Sequence, residues 1–394
     1  MKFKKPTEAL LRPAVAPIEP TPWALRRTEA LLKIAGPIGR TILGKHIQDI
    51  QIQGIENLAK GPKLVLMNHS NPFDPLILTF FGRQLIHFLI TEPYMTDRLA
   101  SRFTAYVGQI PKRKLDPDTR SIRAMKKWCQ LGGAVGMFPE GHFPWDGKLL
   151  PLQPGLDQLI RYLDVPVVTV RLINSDRLWP AWAKHPRKSK LRLEIDAPRR
   201  FSSDQPIMKP IAESLTVDPE NCQRFPVQGK NLAEGLAHFI QYCFDCGADQ
   251  SLDDRGDELK CSQCKKSWTV TTDNRVGEIS IGDAWKKVRS ALSKKWGKNP
   301  TLESRASVTV FDATSLQWTR VDEGILYLQN QVLKAGSWKL ELKELQAHTL
   351  DWGDLILLRT ERKRFAVRMP TESRAVWGHA LDLRDSQDLP DSRG

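Results

Sequence analysis

The sequence predicts an α/β domain on a central sheet, followed by a small four-cysteine ribbon and then an all-β unit closed by one C-terminal helix. Three observations carry this expectation. Between His46 and about Pro198, apolar strand-like runs alternate with helical patterns, the signature of a sheet covered by helices. Two Cys-x2-Cys pairs follow, and beyond Ala306 the apolar residues recur at every second position. A chain of 394 residues with 41% apolar content is long enough for two to three domains with real cores.

Residues 1–45 form the first segment. Up to about residue 22 the chain is rich in proline and charge, and Trp23–Leu43 then carries Leu25, Leu31, Leu32, Ile34, Ile38, Ile42 and Leu43 among basic residues. A Gly36-Pro37 break predicts two short helices, because proline lacks the donor that continues a helix. Nine Lys/Arg against three Glu over 1–45 fit a basic amphipathic segment lying on an anionic membrane, with packing on the core as the alternative. The second segment, 46–240, contains the predicted strands and helices Ile47–Ile55, Leu64–Met67, Pro75–Phe81, Gln84–Thr91, Arg120–Gly132, Ala134–Phe138, Gly155–Tyr162, Val165–Leu172 and Lys190–Ile195. The ribbon spans 241–272 and a basic linker helix spans 273–300, with Trp285, Val288, Leu292 and Trp296 near helical spacing. Period-two strands then fill 301–386 (Val308–Phe311, Leu316–Trp318, Gly324–Leu328, Trp338–Leu342, Leu355–Arg359, Phe365–Met369) before a helix at Thr371–Leu383, and 387–394 is a tail.

The formal net charge of +14 implies an anionic partner without choosing among nucleic acid, phosphorylated substrate and membrane surface. No apolar run approaches the roughly 18 residues of a spanning helix, and no secretory apolar segment opens the chain. The expectation is a cytoplasmic chain, peripheral on the cytosolic face of a membrane. Four of the six cysteines sit in paired motifs, which is metal-ligand usage. Cys129 and Cys222 stand alone and suit buried apolar positions.

The chemistry begins at Asn68-His69-Ser70-Asn71-Pro72-Phe73-Asp74, between a strand and a helix. A histidine accepts a proton near neutral pH, and a carboxylate on its other ring nitrogen fixes the tautomer. His69 and Asp74 therefore suit activation of a hydroxyl at the carboxyl end of a strand, where open α/β sheets place their sites. The plainer reading is an Asp74 N-cap with Pro75 at the first helical position, beside an ordinary loop histidine. A second segment, Phe138-Pro139-Glu140-Gly141-His142, also follows an apolar run; it offers a carboxylate and a glycine whose N–H a ligand can approach closely. Between them, Gly108-Gln109-Ile110-Pro111-Lys112-Arg113-Lys114 puts three positive charges after a turn, a cluster suited to phosphate or to simple solvation.

In order and content these blocks resemble the glycerolipid acyltransferase family that includes the 1-acylglycerol-3-phosphate acyltransferases. His69 and Asp74 match its His-x4-Asp motif; Gly108, Ile110 and Lys112–Lys114 its phosphate block; Phe138–Gly141 its Phe-Pro-Glu-Gly block; and Val165–Val168 its apolar Val-Pro block. The resemblance covers roughly residues 46–200. It implies His69 as the base that takes the proton of an acceptor hydroxyl while that oxygen attacks an acyl thioester, acyl-CoA or acyl-ACP, with Asp74 orienting the ring. By the same resemblance, Glu140 and Gly141 position a lysophospholipid acceptor, foremost 1-acylglycerol 3-phosphate. Gly108, Lys112 and one of Arg113 and Lys114 bind its phosphate. Two departures stand out: Lys114 occupies the position where the family usually has Arg, and His142 replaces the usual Thr. No Gly-x-Ser-x-Gly elbow is present, so no serine nucleophile is implied.

Cys243, Cys246, Cys261 and Cys264 form two knuckles able to hold one tetrahedral Zn²⁺ in a closed, structural site. Such binding contributes about 10–16 kcal/mol in small peptides, enough to fold an insert without its own core. Zinc ribbons also bind nucleic acid, but Asp245, Asp249, Asp253, Asp254, Asp257 and Glu258 make this one acidic, so no nucleic acid is expected. From about 306 to 386 the pattern resembles the pleckstrin-homology and GRAM-like fold, with Trp377 on its closing helix. The alternative to an enzyme is a non-catalytic lipid- or nucleic-acid-binding adaptor carrying a zinc ribbon.

Overall fold

The computed structural model describes residues 19–91, 106–115, 118–144, 147–217, 224–314, 318–350 and 354–383. These divide into two compact units, one made of residues up to 181 with 185–229, the other of 182–184 with residues from 230 on. The boundary lies about ten residues before the predicted end of the first domain at 240. Helix Leu236–Ile240 belongs to the second unit: Phe239 packs against Trp285 with ring centroids 5.4 Å apart, and its carbonyl accepts from Ser373 Oγ at 2.6 Å.

The first unit runs α1 (Pro22–Leu43), β1 (Ile47–Gln53), β2 (Lys63–Met67), α2 (Asp74–Phe81), β3 (Ile86–Thr91), β4 (Ile110–Lys112), α3 (Thr119–Gln130), β5 (Ala134–Met137), α4 (Leu156–Leu163), β6 (Val167–Ile173), the one-turn α5 (Ser175–Leu178), β7 (Ser189–Ile195) and α6 (Met208–Leu215). Its seven strands form one sheet in the order β1-β7-β6-β2-β5-β3-β4. Pairing is parallel throughout except between β6 and β7. This is the predicted α/β architecture on a central, mostly parallel sheet.

Strand β2 shows why the sheet sits in the middle. Val65 and Met67 join Ile77, Leu78, Ile86, Val168 and Leu191 on one face, while Leu64 and Leu66 join Met125, Trp128, Val135 and Ile160 on the other. These four β2 side chains are fully buried. A strand with helices on both faces reads as a continuous apolar run, since its period-two alternation divides one core from another and not core from solvent.

Two local expectations are corrected. The Gly36-Pro37 pair does not split the N-terminal helix; α1 is continuous from Pro22 to Leu43 with Pro37 inside it. Tertiary contacts override the missing donor: a Cβ on Gly39 would lie 2.4 Å from the Phe80 ring, and Arg40 Nη1 donates to the Phe80 carbonyl at 3.0 Å, so α1 lies close along α2. Asp74 is not the N-cap of α2 but a residue of its first turn; Phe73 holds the cap position without a side-chain bond. The carboxylate is directed backwards into the preceding turn, where it accepts from Ser70 and Asn71 N–H.

In the second unit, strands Leu252–Arg255, Glu258–Cys261 and Ser267–Thr269 form a three-stranded antiparallel sheet that carries the cysteine pairs. Helix Ile281–Trp296 follows, capped by Ser280 Oγ on the Asp283 N–H at 3.0 Å. It buries Trp285, Val288, Leu292 and Trp296, so the apolar face of the predicted linker helix is core. Beyond it lie a four-stranded and a five-stranded antiparallel sheet and the closing helix Arg374–Asp382, with Trp377 fully buried. The predicted strand Leu316–Trp318 falls largely outside the described residues, as do Cys222 and the tail 387–394. Among the described residues no helix is long and apolar enough to cross a membrane.

Gly136, within β5, leaves no room for a side chain in the sheet core. A Cβ there would lie 2.7 Å from Ile86 and Phe88, both buried. Gly136→Val should therefore lower stability by about 1–3 kcal/mol through overpacking, seen as a lower urea midpoint with an unchanged slope.

Candidate active site

The topology delivers chemistry to one edge. Strands β6, β2 and β5 are neighbours and parallel, with Met67 opposite Val170 and Leu66 opposite Met137. Their carboxyl ends therefore open side by side, giving Asn174-Ser175 after β6, His69 to Asp74 after β2 and Phe138 to Glu140 after β5. β3 and β4 extend the same parallel set and bring Lys112 to that edge.

His69 and Asp74 meet as predicted: Nδ1 lies 2.9 Å from Asp74 Oδ2. The same oxygen accepts from Ser70 N–H at 2.6 Å and Asn71 N–H at 2.9 Å, and Oδ1 accepts from Ser175 Oγ. Asp74 has no solvent exposure. A carboxylate held this way takes a proton donor from the ring, so His69 carries hydrogen on Nδ1 and leaves Nε2 as the acceptor. The ring is stacked on Phe138 with centroids 3.7 Å apart and tilted against Phe143 at 4.2 Å. Burial drives the His69 pKa below the ordinary 6.5; Asp74 opposes that shift and the positive charge of Lys114 adds to it. The outcome is a neutral imidazole at neutral pH, the form a general base requires.

Glu140 sits beneath this turn. Its Oε1 accepts from His69 N–H at 2.7 Å and its Oε2 from Leu150 N–H at 2.9 Å. The residue is fully buried, and that burial pushes its pKa up to about 8, against the pull of the two backbone donors. Glu140 thus clamps the backbone of the histidine itself, with one backbone donor on each oxygen. Gly141 has φ +77 and donates its N–H to Phe138 O at 3.1 Å, closing the turn. A Cβ on Gly141 would stand 3.2 Å from the Gln153 amide.

The basic segment is braced on both sides. Gly108, at φ +72, passes so close to the His87 ring that a Cβ would fall 2.8 Å from its Nδ1, and its carbonyl lies 2.9 Å from that nitrogen. Gln109 bonds Phe88 N–H and Ile86 O like an added strand residue. Beyond β4, Asp118 accepts from Arg113 N–H at 3.2 Å while capping α3, and Ser121 Oγ donates to Pro111 O at 2.7 Å. Lys112 is largely buried, which lowers its pKa, with Asp118 opposing. Gly108 acts on the loop's shape, while Lys114 brings positive charge to bear on His69. A small cleft beside His69 is bordered by Asn68, Ser70, Glu140, Leu149, Leu215 and Val217.

In the second unit the four predicted cysteines converge. Their sulfurs all lie within 4.8 Å of one another, with Cys243 to Cys264 at 4.0 Å and Cys246 to Cys261 at 3.8 Å. Tetrahedral Zn–S bonds of about 2.3 Å require S···S separations of about 3.8 Å. The donor set fits Zn²⁺.

Sequence reading missed Asn68, Asn71 and Ser175. Asn68 pairs its amide with Leu172 N–H at 2.7 Å and Leu172 O at 3.1 Å, locking the β2 exit to β6. The available signal was position: Asn174-Ser175 follows a buried parallel strand immediately, at the end where such sheets place polar function.

Residues 49–173 match the family model described as Acyltransferase. The 1-acyl-sn-glycerol-3-phosphate acyltransferase BAT2, chloroplastic, of Brassica napus is 28% identical over 134 residues, which are 33% of this chain and 38% of that protein, so the chain spans well under half the length of this relative. The crystal structure of the 1-acyl-sn-glycerophosphate (LPA) acyltransferase PlsC from Thermotoga maritima is similar at 22% identity and a TM-score of 0.43, over 48% of this chain and 78% of that one. The strands and turns that assemble His69, Asp74 and Glu140 at one sheet edge lie within the segment that matches the Acyltransferase model.

Proposed function

We propose that this chain transfers an acyl group from an acyl thioester, acyl-CoA or acyl-ACP, to the free hydroxyl of a lysophospholipid, foremost 1-acylglycerol 3-phosphate. The observation that carries the reading is the His69–Asp74 pair at the mouth of the cleft, with Nδ1 engaged and Nε2 left to take a proton. The acceptor oxygen attacks the thioester carbon as its proton moves to Nε2. The new C–O bond forms, the C–S bond breaks, and the imidazolium returns the proton to the departing thiolate. Lys112, Arg113 and Lys114 supply the cationic side for the acceptor's phosphate. The similarity to a protein named for 1-acylglycerol-3-phosphate acylation supports that choice of acceptor.

Membrane association fits α1, which exposes Ile34 by 69%, Ile38 by 58% and Ile42 by 47% at four-residue spacing, with Trp23 also exposed. Such a stripe with Arg and Lys beside it suits an anionic lipid surface. The four cysteines hold a structural Zn²⁺ that ties the ribbon together, and the two antiparallel sheets with their closing helix follow the pleckstrin-homology-like pattern, a partner or lipid adaptor.

His69→Ala should lower acyl transfer by about 10²–10⁴-fold with fold and metal content intact, measured with lysophospholipid acceptors and either thioester carrier. Wild-type protein inactive toward every such pair would refute the enzyme reading and favour the adaptor. Because burial depresses the His69 pKa, the rate should hold through neutrality and decline only as pH drops below the usual histidine range; a decline centred above pH 7 would contradict the assignment. Elemental analysis should return one zinc per chain, reduced in Cys261→Ser. Replacing Ile34, Ile38 and Ile42 with Ser should weaken binding to anionic vesicles, whereas unchanged binding would move that role elsewhere.

A further inference from the structure

Asp74 is oriented by more than its own turn. Ser175, the second residue after β6, places Oγ against Asp74 Oδ1, the oxygen that does not face His69. Asn71 approaches the same hydroxyl from the other side, its Nδ2 lying 2.6 Å from Ser175 Oγ and 2.7 Å from Ser175 O. The amide cannot be turned over, because its Oδ1 accepts from Phe73 N–H at 2.8 Å. Asn71, Asp74 and Ser175 all have no solvent exposure.

These contacts fix a proton. A serine hydroxyl carries one hydrogen; with its oxygen accepting from Asn71 and a carboxylate that only accepts on the other side, that hydrogen points at Asp74 Oδ1. The chain of donation therefore runs from the Asn71 amide through Ser175 to Asp74, whose Oδ2 receives the His69 Nδ1–H. Ser175 lies beyond the segment 49–173 that the family model matches.

We propose that Ser175, with its hydroxyl aligned by Asn71, is a positioning residue that fixes Asp74 and through it the tautomer and orientation of His69. The inference rests on the acyl-transfer reading for its rate effect, but its electrostatic effect is independent of substrate. A donor on Oδ1 withdraws negative charge from the carboxylate; removing it leaves more charge facing the imidazole and stabilises the protonated ring. The charged groups acting on that ring are Asp74 from its own turn and Lys114 from the turn after β4, while the titratable Glu140 from the end of β5 bonds the His69 backbone N–H. Of these, only Asp74 is bonded to Ser175 and changes with it.

The test compares wild type, Ser175→Ala and Ser175→Cys as full chains, with folding checked by thermal melting. Histidine NMR titration, with the His69 resonance assigned from His69→Ala, should show the His69 pKa rising by about half a unit or more in Ser175→Ala and by less in Ser175→Cys, whose thiol is a weaker donor. In acyl transfer, kcat should fall about tenfold in Ser175→Ala with KM little changed. A folded Ser175→Ala whose His69 titrates as in wild type overturns the proposal, as does equal titration of the Ala and Cys variants. Should wild type transfer no acyl group, the proposed function fails, and the titration still decides the role of Ser175.

Discussion

Placing a carboxylate out of reach of water is costly unless its oxygens are hydrogen-bonded, and the first unit is organised around doing so for Asp74. Its donors come from three places: the backbone of Ser70 and Asn71, the ring of His69, and the hydroxyl of Ser175 beyond a different strand. That set exists only if β2 and β6 lie side by side with their carboxyl ends together. The parallel pairing is thus a condition of the site and not merely its support. Glu140 applies the same rule from the opposite side, reaching from the end of β5 to the N–H of His69. The turn from 68 to 74 is consequently held by both neighbouring strands, through Asn68 to β6 and through Glu140 from β5.

How much of this was legible depended on how local its cause was. His69 and Asp74 announced themselves because a base and an acid five positions apart meet within one turn. The four cysteines did so because two short spacings bring their sulfurs together whatever surrounds them. Buried strands such as Leu64–Met67 were readable from unbroken apolar content. Ser175 and Asn71 were not, since nothing in a serine beyond residue 173 says that it will face a carboxylate a hundred positions earlier.

Two local rules also gave the wrong answer for instructive reasons. Gly36-Pro37 carries the composition of a break, yet Gly39 has no side chain where Phe80 must sit, and close packing of α1 on α2 outweighs the lost donor at Pro37. Asp74 has the composition of a helix cap and does accept backbone N–H groups, but those of the residues before it. A carboxylate at a helix start can satisfy the turn behind it or the helix ahead of it. Here the histidine decides, because only the backward orientation lets one oxygen reach Nδ1 as well. Glu140 and Gly141 were read from their motif as acceptor contacts, and the structure shows that they also shape the turns beside His69.

The two phenyl rings around His69 act on both protonation states. At rest, Phe138 and Phe143 keep water from the imidazole and so help hold it neutral. Once the ring has taken a proton it becomes a planar cation stacked 3.7 Å from the Phe138 face, and the negative face of an aromatic ring attracts such a charge. The charged state is therefore poor in water but not without electrostatic support, and that support requires no rearrangement when the charge appears. In the proposed reaction, a cation sheltered in this way and paired with Asp74 would hold its proton ready for the departing thiolate.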